Sequence, residues 1–357
     1  MILILKTKGL KKGKKKREHV TQTSRRSCQP VLASFDEQYG RELGDLWPSA
    51  RSVLLDPDSW QYGVMVNRFA SPNDITNLLQ SEGFTSFLPH AHAPFLPDAG
   101  SQAIPSSPSP SLLQCFLPTR PVRLPSQAHW PGVLKQFYLL NAASLLPVLA
   151  LQLRPGEKVL DLCSAPGGKA LAILQTADPA LLCCNESDPH RKEWLARTLE
   201  SFLPRSLSNR VILSNQDGCV LGPSEAGTYD KVLVDAPCSN DRSWLYSSSN
   251  QQGAQRLEER TALPALQAQL LRSALCAVRP GGVVVYSTCT LSSNENTGVV
   301  GAVLASCPEA ELEDLWEELA SFSGHFTLVR PRCGLLVVPT PGRTWGPMYI
   351  CRIRRRG

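Results

Sequence analysis

The chain has 357 residues, 42% hydrophobic and 19% charged, a globular balance that excludes a disordered or fibrous protein. Its longest clean apolar run, Leu145–Leu151, is far too short to cross a bilayer. The net charge of +6 is uneven, with +9 in residues 1–27 and −3 in the remainder, so affinity for a polyanion cannot be argued from overall charge.

Residues 1–28 form a basic, polar tail without periodicity. Such a segment reads as a solvated tail or as a mitochondrial presequence, being almost free of acids. Its Lys11–Arg17 cluster equally suits a nuclear signal or a nonspecific RNA contact. Residues 29–88 read as a small, mostly helical unit. Val31, Leu32, Phe35, Tyr39, Leu43 and Leu46 recur at helical spacing. A second helix carrying Ile75, Leu78 and Leu79 follows the turn at Ser71 and closes at Gly83. Residues 89–131 hold ten of the 29 prolines and read as a Pro/Ser-rich linker. His90 and His92 lie in it and read as a solvent-exposed pair in preference to the alternative, a metal role.

Residues 132–357 carry a different pattern. A helix is expected over Tyr138–Leu151. Strands follow at Lys158–Cys163, Leu181–Glu186, Arg210–Asn215, Lys231–Asp235 and Val283–Thr288, with helices near 168–176, 189–202 and 262–279. Strands Gly334–Pro339 and Met348–Ile353 complete the series as an antiparallel edge. This alternation predicts an α/β fold with a doubly wound, mostly parallel sheet. The twelve cysteines show no zinc-ligand spacing and suit a reducing compartment, with no metal site.

Chemistry-bearing residues gather at the predicted strand ends. The first strand runs into Asp161-Leu-Cys-Ser-Ala-Pro-Gly-Gly-Lys169, an acid and a Gly-Gly turn before a helix. Bare Gly167 and Gly168 are expected to let a ligand approach the backbone. Neither a nucleoside-triphosphate loop nor a G-x-G-x-x-G pattern is present. Glu186 ends the second strand at the position that holds a ribose in such folds, and Asp217 follows the third. Asp161, Glu186 and Asp217 are expected to converge. The fourth and fifth strands end in Asp235-Ala-Pro-Cys238 and Ser287-Thr-Cys289. Each delivers to the same rim a thiol that can be tuned to a thiolate.

These motifs, with Asn294-Glu295-Asn296, closely resemble the Sun-domain (RsmB-like) family of RNA cytosine-5 methyltransferases. The resemblance implies a class I methyltransferase fold, Rossmann-like with seven strands, and S-adenosylmethionine as cofactor. It assigns Cys289 as nucleophile toward carbon 6 of cytosine and Cys238 to the final elimination. Asp235 would bond the N3 or amino edge of the base, with Lys169 orienting Asp235 or the substrate. It places the cofactor against Cys163, Ser164, Ala165, Pro166, Gly167, Gly168, Lys169 and Asp235. Glu186 would hold the ribose hydroxyls, Arg191 matches a family cofactor position, and Asp217 would meet the adenine amino group.

Tyr138–Leu151 and Leu233–Leu245 are similar to the mitochondrial branch of the family, as are Phe35–Trp47 and Trp345–Tyr349. Leu140 stands where the usual family pattern has Gln. That likeness implies a mitochondrial matrix enzyme. Its RNA partner would be a tRNA anticodon loop, with the wobble cytosine of mitochondrial methionine tRNA as target. Residues 29–88 are then expected to bind RNA. Phosphate contacts are expected from Arg41, Arg51, Arg68, Lys135 and Arg242.

Overall fold

The structure, a computed structural model, describes residues 27–88, 113–120, 122 and 124–357. The basic tail over 1–26 lies outside the described residues, as do His90 and His92.

Two helices come first, α1 (Gln29–Leu43) and α2 (Trp47–Leu54). Each has a proline in its first turn, where the missing N–H breaks no helical bond. α1 buries Val31, Leu32, Phe35 and Tyr39, the stripe read from the spacing. That stripe shares one apolar cluster with the sheet and helices of the C-terminal domain.

Beyond α2 the 29–88 unit is mixed rather than helical. It contains β1 (Gly63–Val66), α3 (Pro72–Ser81) and β2 (Phe84–Ser86). β1 and β2 form a four-stranded antiparallel sheet with β3 (Cys115–Pro118) and β4 (Phe137–Leu140), in the order β2-β3-β1-β4. The helix expected over Tyr138–Leu151 is therefore β4, then a 3-10 turn (Ala142–Leu145), then α4 (Leu146–Ala150). A four-residue apolar run carries no usable period. Pairing decides instead, with Met65 opposite Tyr138 and Gly63 opposite Leu140.

The C-terminal domain runs β5 (Lys158–Asp161), α5 (Gly168–Thr176), β6 (Leu181–Asn185), α6 (Pro189–Phe202) and β7 (Val211–Ser214). It continues through α7 (Gly218–Ser224), β8 (Tyr229–Asp235), α8 (Asp241–Trp244), α9 (Asn250–Ala277), β9 (Val278–Thr288) and α10 (Thr297–Ser306). Last come β10 (Ala310–Glu313), α11 (Trp316–Leu319), β11 (Thr327–Val329), β12 (Leu335–Val338) and β13 (Met348–Arg355). α9 begins twelve residues before its expected start at 262 and runs through Pro264.

The sheet order is β11-β12-β13-β9-β8-β5-β6-β7. The seven expected strands are all present. β5 to β9 pair in parallel, and β13 is inserted antiparallel between β9 and β12. Short antiparallel β10 and β11 extend the sheet to nine strands. Successive residues feed opposite faces: Val159, Val283 and Val285 join one apolar cluster, Leu160, Val284 and Tyr286 the other. The chain leaves β5 toward β6 on one side and returns at β8 on the other. That switch point opens a crevice beyond the carboxyl ends of β5 and β8, where Asp161 and Asp235 stand. Among the described residues no helix is long and apolar enough to cross a membrane.

Candidate active site

The loop from β5 to α5 forms one wall of the crevice. Asp161 is fully buried, accepts from Ser164 Oγ at 2.8 Å through Oδ2, and leaves Oδ1 without a hydrogen-bond partner. Burial pushes its carboxyl up to about 7. Glu186, buried at the end of β6, accepts from the Asp188 backbone at 3.1 Å through Oε1. Its Oε2 has no hydrogen-bond partner and lies 3.4 Å from Arg191 Nη1. Arg191 in turn donates to the Ala165 carbonyl at 2.9 Å, tying α6 to the loop. A cavity of about 280 Å³ is lined by Asp161, Cys163, Pro166, Lys169, Tyr138 and Asp235, among others. The unpartnered Oδ1 of Asp161, which lines it, suits a ligand rich in donors, such as S-adenosylmethionine, and Glu186 Oε2 is a second buried oxygen without a hydrogen bond.

Asp217 differs from the other two acids in exposure. It is exposed, caps α7 by accepting from Cys219 N at 2.9 Å, and does not line the cavity. The glycines also serve packing. Gly167 has φ +106°, and a Cβ there would fall 3.0 Å from Leu195 Cδ1. A Cβ on Gly168 would fall 3.0 Å from the Tyr138 ring. Both glycines let α6 and β4 close upon the loop, although Gly168 also borders the cavity.

The raised carboxyl of Asp161 makes a stability prediction. The native state keeps this proton to about pH 7, whereas the unfolded chain releases it near 4. The native state therefore binds more protons between those values, and stability falls as pH rises through that window. Asp161→Asn keeps an acceptor for Ser164 and removes the buried charge. Its advantage over the parent in ligand-free urea unfolding should be negligible near pH 4 and grow by on the order of 1 kcal/mol per pH unit to about 7. An advantage independent of pH would show that Asp161 is not the titrating group.

The opposite wall carries the thiols. Lys169 Nζ lies 2.8 Å from Asp235 Oδ2, and Ser287 Oγ donates to Asp235 Oδ1 at 2.9 Å. Asp235 is thus held from α5 and from β9 at once. Cys238 Sγ and Cys289 Sγ lie 3.3 Å apart, both thiols free, and the Cys289 N–H donates to Cys238 Sγ at 3.3 Å. Their surroundings differ in sign. Lys169 and Arg242 act electrostatically on Cys289, whereas Glu295 acts on Cys238. The contact with Cys289, then burial, pushes the Cys238 thiol well above its ordinary range.

Beneath the thiols lies a buried network whose roles are not evident from the sequence. Glu295 accepts from Ser239 N at 2.9 Å, Gln267 Nε2 at 3.0 Å and Ser239 Oγ, and pairs with Arg260 at 3.5 Å. It ties the Cys238 loop to the segment after Cys289. Asp241 accepts from Leu291 N at 2.7 Å, Thr290 Oγ1 at 2.9 Å and Tyr39 OH at 2.8 Å. Arg260 donates to the same Tyr39 hydroxyl at 2.7 Å, so α1 is built into the support of the thiol loops. Asn296 secures the Cys289 loop through Thr290 O at 2.9 Å and Thr288 Oγ1 at 2.5 Å. A larger cavity of about 740 Å³, between α1, α9 and α10, lies behind Glu295 and holds none of the strand-end carboxylates.

Several of the expected phosphate contacts are already engaged. Arg51 forms a two-pronged pair with Asp36, Arg68 pairs with Asp178 at 2.6 Å, and Arg41 pairs with Glu37 on the surface. Lys135 Nζ sits 5.8 Å from the Phe202 ring centroid. Among the described residues no cluster of three or more His, Cys, Asp or Glu is placed to hold a metal ion.

Comparison with known proteins agrees with this arrangement. A family described as 16S rRNA methyltransferase RsmB/F matches residues 148–338. A mitochondrial tRNA (cytosine(34)-C(5))-methyltransferase of Danio rerio is 52% identical over 343 residues, 95% of this chain and 90% of that protein. The 5-cytosine rRNA methyltransferase NSUN4 of Mus musculus is 38% identical over 359 residues, 96% of this chain and 92% of that protein. A solved methyltransferase homologue from Pyrococcus horikoshii has a TM-score of 0.60 at 22% identity, covering 92% of this chain and 98% of that one, a likeness of fold. With the strand order, the cofactor crevice and the paired thiols in place, the chain belongs to the RsmB/F, or Sun-domain, family of S-adenosylmethionine-dependent RNA cytosine-5 methyltransferases.

Proposed function

We propose that this enzyme methylates carbon 5 of the wobble cytosine in the anticodon loop of mitochondrial methionine tRNA, in the mitochondrial matrix. The observation that carries the chemistry is the pair of free thiols 3.3 Å apart beside the Lys169–Asp235 pair. Direct transfer to oxygen or nitrogen needs no such pair. The substrate is supported by the greater likeness to the tRNA-specific relative than to the rRNA-specific one. The basic, acid-poor tail suits import. In this reading residues 29–88 help hold the RNA and 132–357 carry out the transfer.

When bound, S-adenosylmethionine supplies a methyl carbon made electrophilic by its sulfonium. Cys163–Lys169 and Asp235 would border its methionine and sugar side, and Glu186 would accept from the ribose hydroxyls. Arg191 would fix the loop, and Asp217 would meet the adenine amino group. Cys289, the thiol with cations beside it, adds to carbon 6 of cytosine, forming an S–C bond and an enamine-like ring. The electron pair released into the ring is taken up as N3 gains a proton, and Asp235 bonds the N3 or amino edge and stabilises that protonated adduct. Lys169 holds Asp235 in that orientation. After methylation Cys238, as thiolate, takes the carbon-5 proton, the ring double bond re-forms, and the S–C bond breaks with its electron pair returning to Cys289 as thiolate. Cys238 serves that elimination.

The test uses the purified full chain, tritium-labelled methyl donor and transcripts of mitochondrial methionine tRNA. Label should enter the transcript and vanish when its wobble cytosine is replaced by uridine. Bisulfite sequencing of cells lacking the protein should show the same single loss. A reporter carrying residues 1–40 should enter mitochondria. Labelling of mitochondrial ribosomal RNA instead would establish the second reading, which the rRNA-specific relative favours.

A further inference from the structure

Arg242 is a half-buried cation near the thiols that has no carboxylate partner among the described residues. It lies in α8, and its guanidinium carbon sits 4.6 Å from the Trp60 ring centroid. Nη2 donates to the Thr344 carbonyl, while Nε is buried with no hydrogen-bond partner. Burial brings the guanidinium down to about 10, and the groups acting on it are Tyr62 and Cys289 rather than any carboxylate. Among the described residues it forms no ion pair, unlike Arg41, Arg51 and Arg68. An uncompensated buried cation is costly unless an anion arrives to meet it.

The position says where that anion would come from. Three parts of the chain meet at Arg242: Trp60 of the N-terminal unit, α8 after the Cys238 loop, and the turn ending at Thr344. Tyr62 lines the same cavity as Lys169 and Asp235. Arg242 therefore stands at the mouth of the thiol site. A cytosine that reaches both thiols must leave its stack, and its own backbone then follows it to that mouth. A guanidinium presents a fork of donors that matches phosphate oxygens.

We propose that Arg242 is a phosphate-binding residue that takes the phosphodiester adjoining the target cytidine. This rests on the RNA methyltransferase reading and adds to it the group that seats the everted nucleotide. The alternative anion is the Cys289 thiolate, to which Lys169 also stands close.

The experiment measures binding of the full-length protein to the mitochondrial methionine tRNA transcript across a salt series. Arg242→Met should weaken binding about 10-fold or more at low salt and lower the log–log salt slope by about 0.7, the share of one single-stranded phosphate. Its affinity for S-adenosylmethionine should be unchanged. Arg242→Lys keeps a point charge and should keep the slope. Should Arg242→Met not fold, Arg242→Gln retains a donor for Thr344 without the charge, and its slope decides. An unchanged slope in the charge-free variants would overturn the proposal. If the parent protein methylates no RNA, the underlying reading fails and this one with it. If the parent methylates RNA but the variants keep its slope, this proposal alone fails.

Discussion

Replacing Cys238 with alanine is expected to leave the enzyme attached to its RNA. Cys289 keeps its cationic neighbours Lys169 and Arg242 in that variant, so attack on carbon 6 proceeds. Elimination lacks its second thiol, and the adduct persists as a slow band on a denaturing gel, labelled by the transferred methyl group. Cys289→Ala should form no band and should lose methyl transfer by several orders of magnitude, while binding S-adenosylmethionine as before. The double variant should match Cys289→Ala. The division of roles sets the direction of this result: Cys289 attacks, and Cys238, whose thiol is held well above its ordinary range by Cys289, burial and the Glu295 carboxylate, serves the elimination. A trapped band in Cys289→Ala, with none in Cys238→Ala, would exchange the two roles and leave the reaction class intact.

Asp235, Lys169 and both thiols were legible in the sequence because each sits where a strand leaves the sheet. In a doubly wound fold the strand ends share one rim, so short motifs far apart in the chain become neighbours. The existence of the seven main strands and their mostly parallel, doubly wound arrangement were legible for a similar reason, since alternating apolar runs and amphipathic helices admit few arrangements. Three features were not. The strands at 63–66 and 137–140 are four residues long with no period to read, and only their mutual register makes a sheet. The expected phosphate contacts Arg51 and Arg68 are neutralised by Asp36 and Asp178, and such pairing depends on packing. Glu295 was visible as part of Asn294-Glu295-Asn296, but its partner Ser239 lies 56 residues away on another loop. Buried acids of this kind signal their role only once the loops are brought together.

Glu295→Gln is expected to cost roughly 100-fold in kcat while leaving cofactor affinity within about two-fold. The carboxylate serves four donors: the Ser239 N–H and hydroxyl, the Gln267 amide and the Arg260 guanidinium. A glutamine offers one acceptor oxygen and turns an amide toward donors on its other side. Leaving a buried donor unpaired costs about 1–3 kcal/mol, and breaking a buried ion pair about 3–5 kcal/mol. The strain falls on the Ser239 segment, the residue after Cys238, and so on the 3.3 Å spacing of the thiols. A misplacement near 1 Å at reacting groups is enough for a loss of about 100-fold. The cofactor cavity draws its lining from Asp161, the Cys163–Lys169 loop and β4, none of which touches Glu295. Mild oxidation with diamide gives an independent reading of the spacing, since only thiols that can approach bonding distance form a disulfide. The parent should cross-link Cys238 to Cys289 readily and Glu295→Gln more slowly. Equal losses of kcat and cofactor affinity would mark Glu295 as a general stabiliser of the domain. An unchanged rate of cross-linking with a lowered kcat would place its effect somewhere other than the thiol pair.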